Sequence, residues 1–87
     1  MKKVKITNIN NYVVTFKDTD DKEYKKNIEF QDTEISEGDI IYISEEILDE
    51  DNIYTYGPLT NLENIELDDV IKIIKDDKEI YLQRYYG

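Results

Sequence analysis

Carboxylates are the groups in this chain best supplied for chemistry, and their spacing decides which chemistry is open to them. Asp18-Thr19-Asp20-Asp21-Lys22-Glu23 looks at first like a calcium loop. Such a loop needs oxygen ligands at alternate places, a Gly at the sixth and a distal bidentate Glu. Here the fifth place is the cation Lys22 and the sixth is Glu23, so the segment reads as a hairpin turn stabilised by Asp side-chain bonds to backbone. Asp49-Glu50-Asp51-Asn52 crowds four oxygen-bearing side chains together but meets no metal spacing rule, and reads as a solvated acidic loop with at most weak affinity for hard cations. Paired carboxylates also serve glycosidases as acid and base across a sugar cleft. An 87-residue chain has little room to enclose a sugar ring, and among 21 acids some pair meets the required separation by chance.

Other catalytic chemistry lacks its parts. The chain has no His and no Cys, which removes imidazole bases, disulfides and thiolate zinc sites together. Ser36 and Ser44 both lie beside acids, with no imidazole to activate either. Gly38, Gly57 and Gly87 form no Gly-rich phosphate cradle. The expectation is a protein that is not an enzyme, with no cofactor and no dedicated metal site.

What the carboxylates do show is segregation. Between Gln31 and Asp69 there are thirteen of them and not one Lys or Arg. The balances of residues 1–30, 31–69 and 70–87 are +2, −13 and +1, within a total of −10. A block of like charge repels itself and weakens a compact fold, so a concentrated negative surface calls for a use. Asp39, Glu45, Glu46, Asp49, Glu50, Asp51, Glu63, Glu66, Asp68 and Asp69 are its candidate charge carriers. Tyr54 and Tyr56, two rings on one face of a short strand inside this block, are candidate anchors, because Tyr is prominent at interface hot spots.

The remaining rings and cations have plainer readings. Tyr12, Tyr24 and Tyr42 fall at strand positions expected to face a core with the hydroxyl at its rim. Tyr81, Tyr85 and Tyr86 lie beside Arg84 in a tail that either pairs as a last strand or docks on a partner. Lys2, Lys3, Lys5, Lys25 and Lys26 are the one basic patch in prospect, and alternation turns Lys3, Lys5 and Lys25 outward. Such lysines commonly guard a sheet edge from aggregation.

The elements that must position these groups are short strands. Val4 and Ile6 alternate with lysines, Asn8–Asn11 reads as a turn, and Tyr12, Val14 and Phe16 mark a second strand. Tyr24, Lys26, Ile28 and Phe30 share one face of a third, which completes a meander. Ser36–Asp39 opens onto Ile40–Ser44, a run expected to be buried on both sides. Ser44 is placed to cap a helical turn through Leu48, Ile53–Tyr56 reads as a short strand, and Gly57-Pro58 as a break. Thr60–Glu63 has the form of a capping box before a second helical turn. Val70–Lys75 and Glu79–Tyr85 make a closing hairpin around Asp76-Asp77-Lys78. Residues 1–87 thus read as one mainly-β domain, a small barrel or roll of the SH3-like or OB-like kind. It has five to seven short strands and one or two short helical turns.

Charged residues at 37% stand near hydrophobic ones at 39%, but eight Tyr, two Phe and alternating Ile and Val supply enough burial for a small core. No apolar run is long enough for a signal peptide or a bilayer span. At −10, anionic lipid and bare nucleic acid are both expected to repel the chain. The expected protein is therefore cytoplasmic, a monomer or homodimer, with no membrane and no direct nucleic acid among its partners. In size and charge the chain resembles small acidic anti-defence inhibitors of phages and mobile elements, including anti-CRISPR and anti-restriction proteins. That resemblance implies a nucleic-acid mimic whose partner is a basic protein, a nuclease or another DNA-binding protein. Two other readings stand beside it, an accessory barrel whose acidity serves solubility and a cation-dependent module using the Asp49–Asn52 loop.

Overall fold

The computed structural model describes residues 1–49, 54–58 and 70–84. Alternation in strand β1 (Lys2–Asn10) buries Val4 and Ile6 and turns Lys3 and Lys5 to solvent. The period then breaks, because strict alternation from Ile6 would put Ile9 on the outer face. A bulge at Thr7 corrects the phase, with Ile6 opposite Phe16 but Asn8 opposite Thr15. One extra residue in a strand flips every later side chain, so Ile9 returns to pack on the core. This is why β1 runs through Asn8–Asn10, where a turn was expected, and leaves only Asn11 and Tyr12 to make the reversal.

Asn11 takes the left-handed φ of 56° that this tight turn needs. Tyr12, expected in a strand facing the core, sits in the turn at 60% exposure. Strand β2 (Val13–Asp18) buries Val14, Phe16 and Asp18, and strand β3 (Glu23–Phe30) buries Tyr24, Lys26 and Ile28. β1, β2 and β3 form the expected antiparallel meander.

Strand β4 (Ile40–Ile43) returns to pair with the first half of β1, Ile41 opposite Val4 and Ile43 opposite Lys2. Ile41 and Ile43 are fully buried, whereas Ile40 and Tyr42 are half-buried on the outer side, so this strand alternates after all. One helical turn, α1 (Glu45–Asp49), follows, and strand β5 (Tyr54–Pro58) then lies parallel to β3. Gly57 and Pro58, expected as a break, continue β5 and pair with Gln83 and Leu82. Pro58 is the last residue of its strand, where the loss of an amide donor is best tolerated. Strands β6 (Val70–Lys75) and β7 (Lys78–Arg84) form a hairpin whose two turn residues, Asp76 and Asp77, have φ of 51° and 61°. Positive φ at both central residues is what a two-residue hairpin demands. Lys78, expected in the turn, therefore opens β7 opposite Lys75.

The ring order is β1-β2-β3-β5-β7-β6-β4, and the β1–β4 pairing closes it. The protein is a mainly-β barrel of seven strands with one short helix among the described residues. Its interior is filled by Phe16, Tyr56, Leu82 and a set of isoleucines that includes Ile6, Ile41 and Ile71, all fully buried. The second helical turn expected at residues 60–65 lies outside the described residues.

Because Ile71 is completely enclosed, Ile71→Ala should lower unfolding free energy by about 2–5 kcal/mol, the usual cost of a large-to-small change in a packed core. Val13→Ala at an exposed strand position should stay within about 0.5 kcal/mol. Urea unfolding of the two variants, followed by tyrosine fluorescence, separates these outcomes.

Candidate functional site

Helix α1 carries three of the exposed carboxylates described in the acidic segment, beside Asp32, Glu34 and Glu37 in the loop before β4. Ser44 is buried at its N-terminal end, where the Ser44 carbonyl accepts the Leu48 N–H at 3.3 Å. Ile47 and Leu48 are buried against the barrel, 3% and 2% exposed, while Glu45, Glu46 and Asp49 point to solvent. Two apolar side chains in five residues thus hold three carboxylates outward on a rigid turn. Glu45 and Glu46 occupy the first turn, where the helix dipole favours negative charge.

Beneath α1 lies a charged hub. The Asp18 side chain is 2% exposed and its Oδ2 is 3.4 Å from Lys2 Nζ. Its Oδ1 accepts the N–H groups of Asp20 at 2.8 Å and Lys22 at 3.0 Å, and Oδ2 accepts the Tyr24 hydroxyl at 3.3 Å. Desolvation pushes the Asp18 carboxyl up, but the Lys22 and Asp20 amides and the Lys2 ammonium outweigh it and hold it below its ordinary value. Lys2 is raised by the Tyr24 hydroxyl, against desolvation, with Asp18 adding to the effect. Lys2 also stands 3.9 Å from Glu45, so one lysine ties the helix to the hairpin turn. Lys2, Lys22, Tyr24, Glu45, Leu48 and Asp49 line a small polar cleft of about 130 Å³ here. The Asp18–Glu23 segment is accordingly a hairpin turn organised by its first carboxylate, the reading favoured above over a calcium loop.

The predicted charge carriers divide into three groups. Glu45, Glu46 and Asp49 come together on α1. Asp39 does not join them. Its side chain is 12% exposed, 3.5 Å from Lys75 Nζ, and it accepts the Ser36 N–H at 2.8 Å. Lys75 also donates to the Glu34 carbonyl and the Ser36 hydroxyl, each at 3.2 Å, so Asp39 clamps its own loop to β6. Glu50, Asp51, Glu63, Glu66, Asp68 and Asp69 lie outside the described residues. The proposed anchors are core residues instead: Tyr56 is fully buried and Tyr54 is 8% exposed, with their ring centres 6.4 Å apart. Their strand is enclosed between β3 and β7, which turns both rings inward, and Arg84 covers the Tyr54 ring at 4.8 Å.

Two residues escaped sequence reading, the buried Asp18 and the outward Lys17, whereas Lys3, Lys5 and Lys25 turn outward as alternation indicated. Asp18 as a buried hub could have been suspected from its place at the end of an inward-facing series with Val14 and Phe16. The lysines at positions 3, 5, 17 and 25 all reach solvent from the outer face of the meander, whereas Lys26, assigned to the same patch, is 7% exposed on the inner side. No group of three or more acidic side chains is placed to hold a metal ion among the described residues. No described helix is long and apolar enough to cross a membrane. Compared with known proteins, the chain matches no family model, no curated protein and no solved structure.

The Asp18 hub sets a pH dependence. Its folded pKa lies below the unfolded value of 3.8, so its stabilisation is complete above that value and is lost as pH falls through the lower, folded value. Asp18→Asn should melt at lower temperature than the parent near neutral pH, and the gap should close below about pH 4. Parallel thermal melts across that range check this; a gap that does not change with acid would remove the carboxylate from the explanation.

Proposed function

We propose that this chain is a non-catalytic binding module that engages a basic protein through its acidic 31–69 segment. It would act as an inhibitor or adaptor of a nuclease or another DNA-binding protein, in the manner of phage-borne anti-defence proteins. The observation that supports this reading is α1. Its three carboxylates are exposed and held by buried neighbours, and among the described residues only Glu45 has a cation within 4 Å, Lys2 at 3.9 Å. Packing of Ile47 and Leu48 fixes the backbone of the turn, so a partner has to order only the exposed side chains. Their field also speeds encounter with a surface of opposite sign.

Burial of Tyr54 and Tyr56 changes how such a partner is held. Without those anchors the described contact is electrostatic, so the association is fast, salt-sensitive and dependent on an extended set of carboxylates. The internal use of Asp39 shows that part of the acidity serves the fold itself. A purely solubilising role for the rest would leave reversal of the α1 charges without effect on binding.

Glu46→Lys combined with Asp49→Lys should leave the barrel folded, because both side chains are exposed. With immobilised chain and a low-GC bacterial lysate, the parent should retain basic nucleic-acid-handling proteins at low salt and release them on a salt gradient. The double variant should retain on the order of tenfold less, as steered association falls with the charge that drives it. Equal capture by parent and variant would sink the electrostatic reading.

A further inference from the structure

Four lysines on the outer face of the meander form no ion pair among the described residues. Lys3, Lys5, Lys17 and Lys25 are exposed, and among the described residues none has a carboxylate within 4 Å, in a chain with 21 acids and 11 cations. Lys5 and Lys17 are direct cross-strand partners, an arrangement of like charges that destabilises a sheet. Edge protection does not account for Lys5 and Lys17, whose positions pair with a strand on each side, whereas among the described residues Lys3 pairs only with β4 and Lys25 only with β2.

Their surroundings point to a ligand. Thr7, Asn8, Thr15, Lys17 and Lys25 line an open groove of about 410 Å³ on this face, with Glu23 its single lining acid. The bulge at Thr7 lies within that groove, and hydroxyl and amide groups there complement the two ammonium groups. Along the next row of the sheet, Lys3 lies opposite Tyr42, Tyr42 opposite Lys72, and Lys72 opposite Tyr81. Lys72 Nζ stands over the Tyr42 ring at 4.6 Å, and the Tyr81 ring is 42% exposed. Tyr81 is the accessible ring of this row; its hydroxyl donates to Glu79 at 2.8 Å, and Glu79 also holds Lys72 at 3.6 Å. Exposed lysines beside an accessible ring suit a chain that carries both regular anions and flat faces. A carboxylate-rich protein segment would use the lysines and gain nothing from the ring.

We propose that the outer face of β1, β2 and β3, continued by Tyr42 and Tyr81, binds a single strand of nucleic acid. The phosphates lie on Lys3, Lys5, Lys17 and Lys25, and a base stacks on Tyr81, with the Lys72-capped Tyr42 ring as the packed floor between them. The net charge of −10 opposes long-range attraction, but it does not set the contact energy. On this face Glu23, the cross-strand partner of Lys17, offsets one of the four lysines. Lys5 lies three residues, about 10 Å, along β1 from the Lys2–Glu45 contact, beyond the Debye length of about 8 Å at physiological salt. This site is separate from α1 and does not rest on the acidic reading.

Fluorescence anisotropy with labelled oligo-dT and oligo-U at about 0.1 M salt tests the proposal. Four phosphate contacts give a single-strand salt slope near −3, so affinity should fall about 20-fold between about 0.1 and 0.3 M salt. Lys5→Glu should weaken binding at least about fivefold, Tyr81→Ala by a similar factor, and Lys78→Glu in the distant hairpin less than about twofold. Thermal melts confirm that each variant is folded. The proposal is overturned if millimolar protein leaves the anisotropy unchanged, or if Lys5→Glu and Lys78→Glu weaken binding equally. It is also overturned if polyglutamate displaces the oligonucleotide at equal charge concentration, since the face would then be a site for acidic protein.

Discussion

Closure of the barrel by β4 on β1 is the constraint on which the remaining structure depends. Four residues, Ile40–Ile43, pair with Lys2–Lys5 and turn a seven-strand sheet into a ring. The same pairing buries Ile41 and Ile43 completely, and Ile41 lies opposite Val4, so closure and core formation are one event. Each such side chain taken from water contributes about 1.5–3 kcal/mol, far more than any surface ion pair here. The approach to β4 is fixed beforehand. Gly38, with φ near +97°, donates its N–H to the Ile6 carbonyl at 2.7 Å, and Asp39 accepts the Ile6 N–H at 3.0 Å. A residue with a Cβ would be strained at that φ, although nothing within 4 Å would obstruct it sterically. The Asp39–Lys75 clamp then ties this loop to β6, the neighbour of β4 on its other side.

Closure also decides what the charges can mean. In an open sheet, lysines on the outer strands would be explained by the need to block edge pairing. In this ring Lys5 and Lys17, paired on both sides, need another account. Carboxylates divide in the same way: Asp18 and Asp39 are enclosed and hydrogen-bonded, whereas Glu45, Glu46 and Asp49 are held outward by the burial of Ile47 and Leu48. The useful distinction is therefore between charges consumed by the fold and charges left available by it. Lys2 belongs to the first group, shared between Asp18 and Glu45, and Lys3, the next residue, belongs to the second.

Much of this was legible in the amino-acid sequence, because strand alternation and turn residues are local signals. The meander, the β6–β7 hairpin, the helical turn after Ser44 and the mainly-β barrel could all be read from them. What was missed depends on contacts between distant segments. The bulge at Thr7 became visible only through the pairing of Ile9 with Val14, and Gly57-Pro58 reads as a break unless β7 lies beside it. Tyr54 and Tyr56 looked like surface anchors because their neighbours in sequence are acidic. The strands that enclose them come from positions about 25 residues away on either side, and no local pattern carries that information. Asp39 was misplaced for the same reason, since its partner Lys75 lies on β6.

A whole-chain charge of −10 is a poor guide to what either surface can meet. The barrel is 24 Å across in its shortest dimension, about three Debye lengths at physiological salt. A partner in contact with one patch therefore responds mainly to the charges of that patch, and the total governs only approach from a distance. Around the start of β1 the sign changes within two residues, from Lys2 bound to acids to Lys3 bound to none among the described residues. Among the described residues no carboxylate pairs with Lys3, Lys5, Lys17 or Lys25, so like charges stand together on that face. Segregation, more than net acidity, is the property of this sequence on which the proposed binding roles rest.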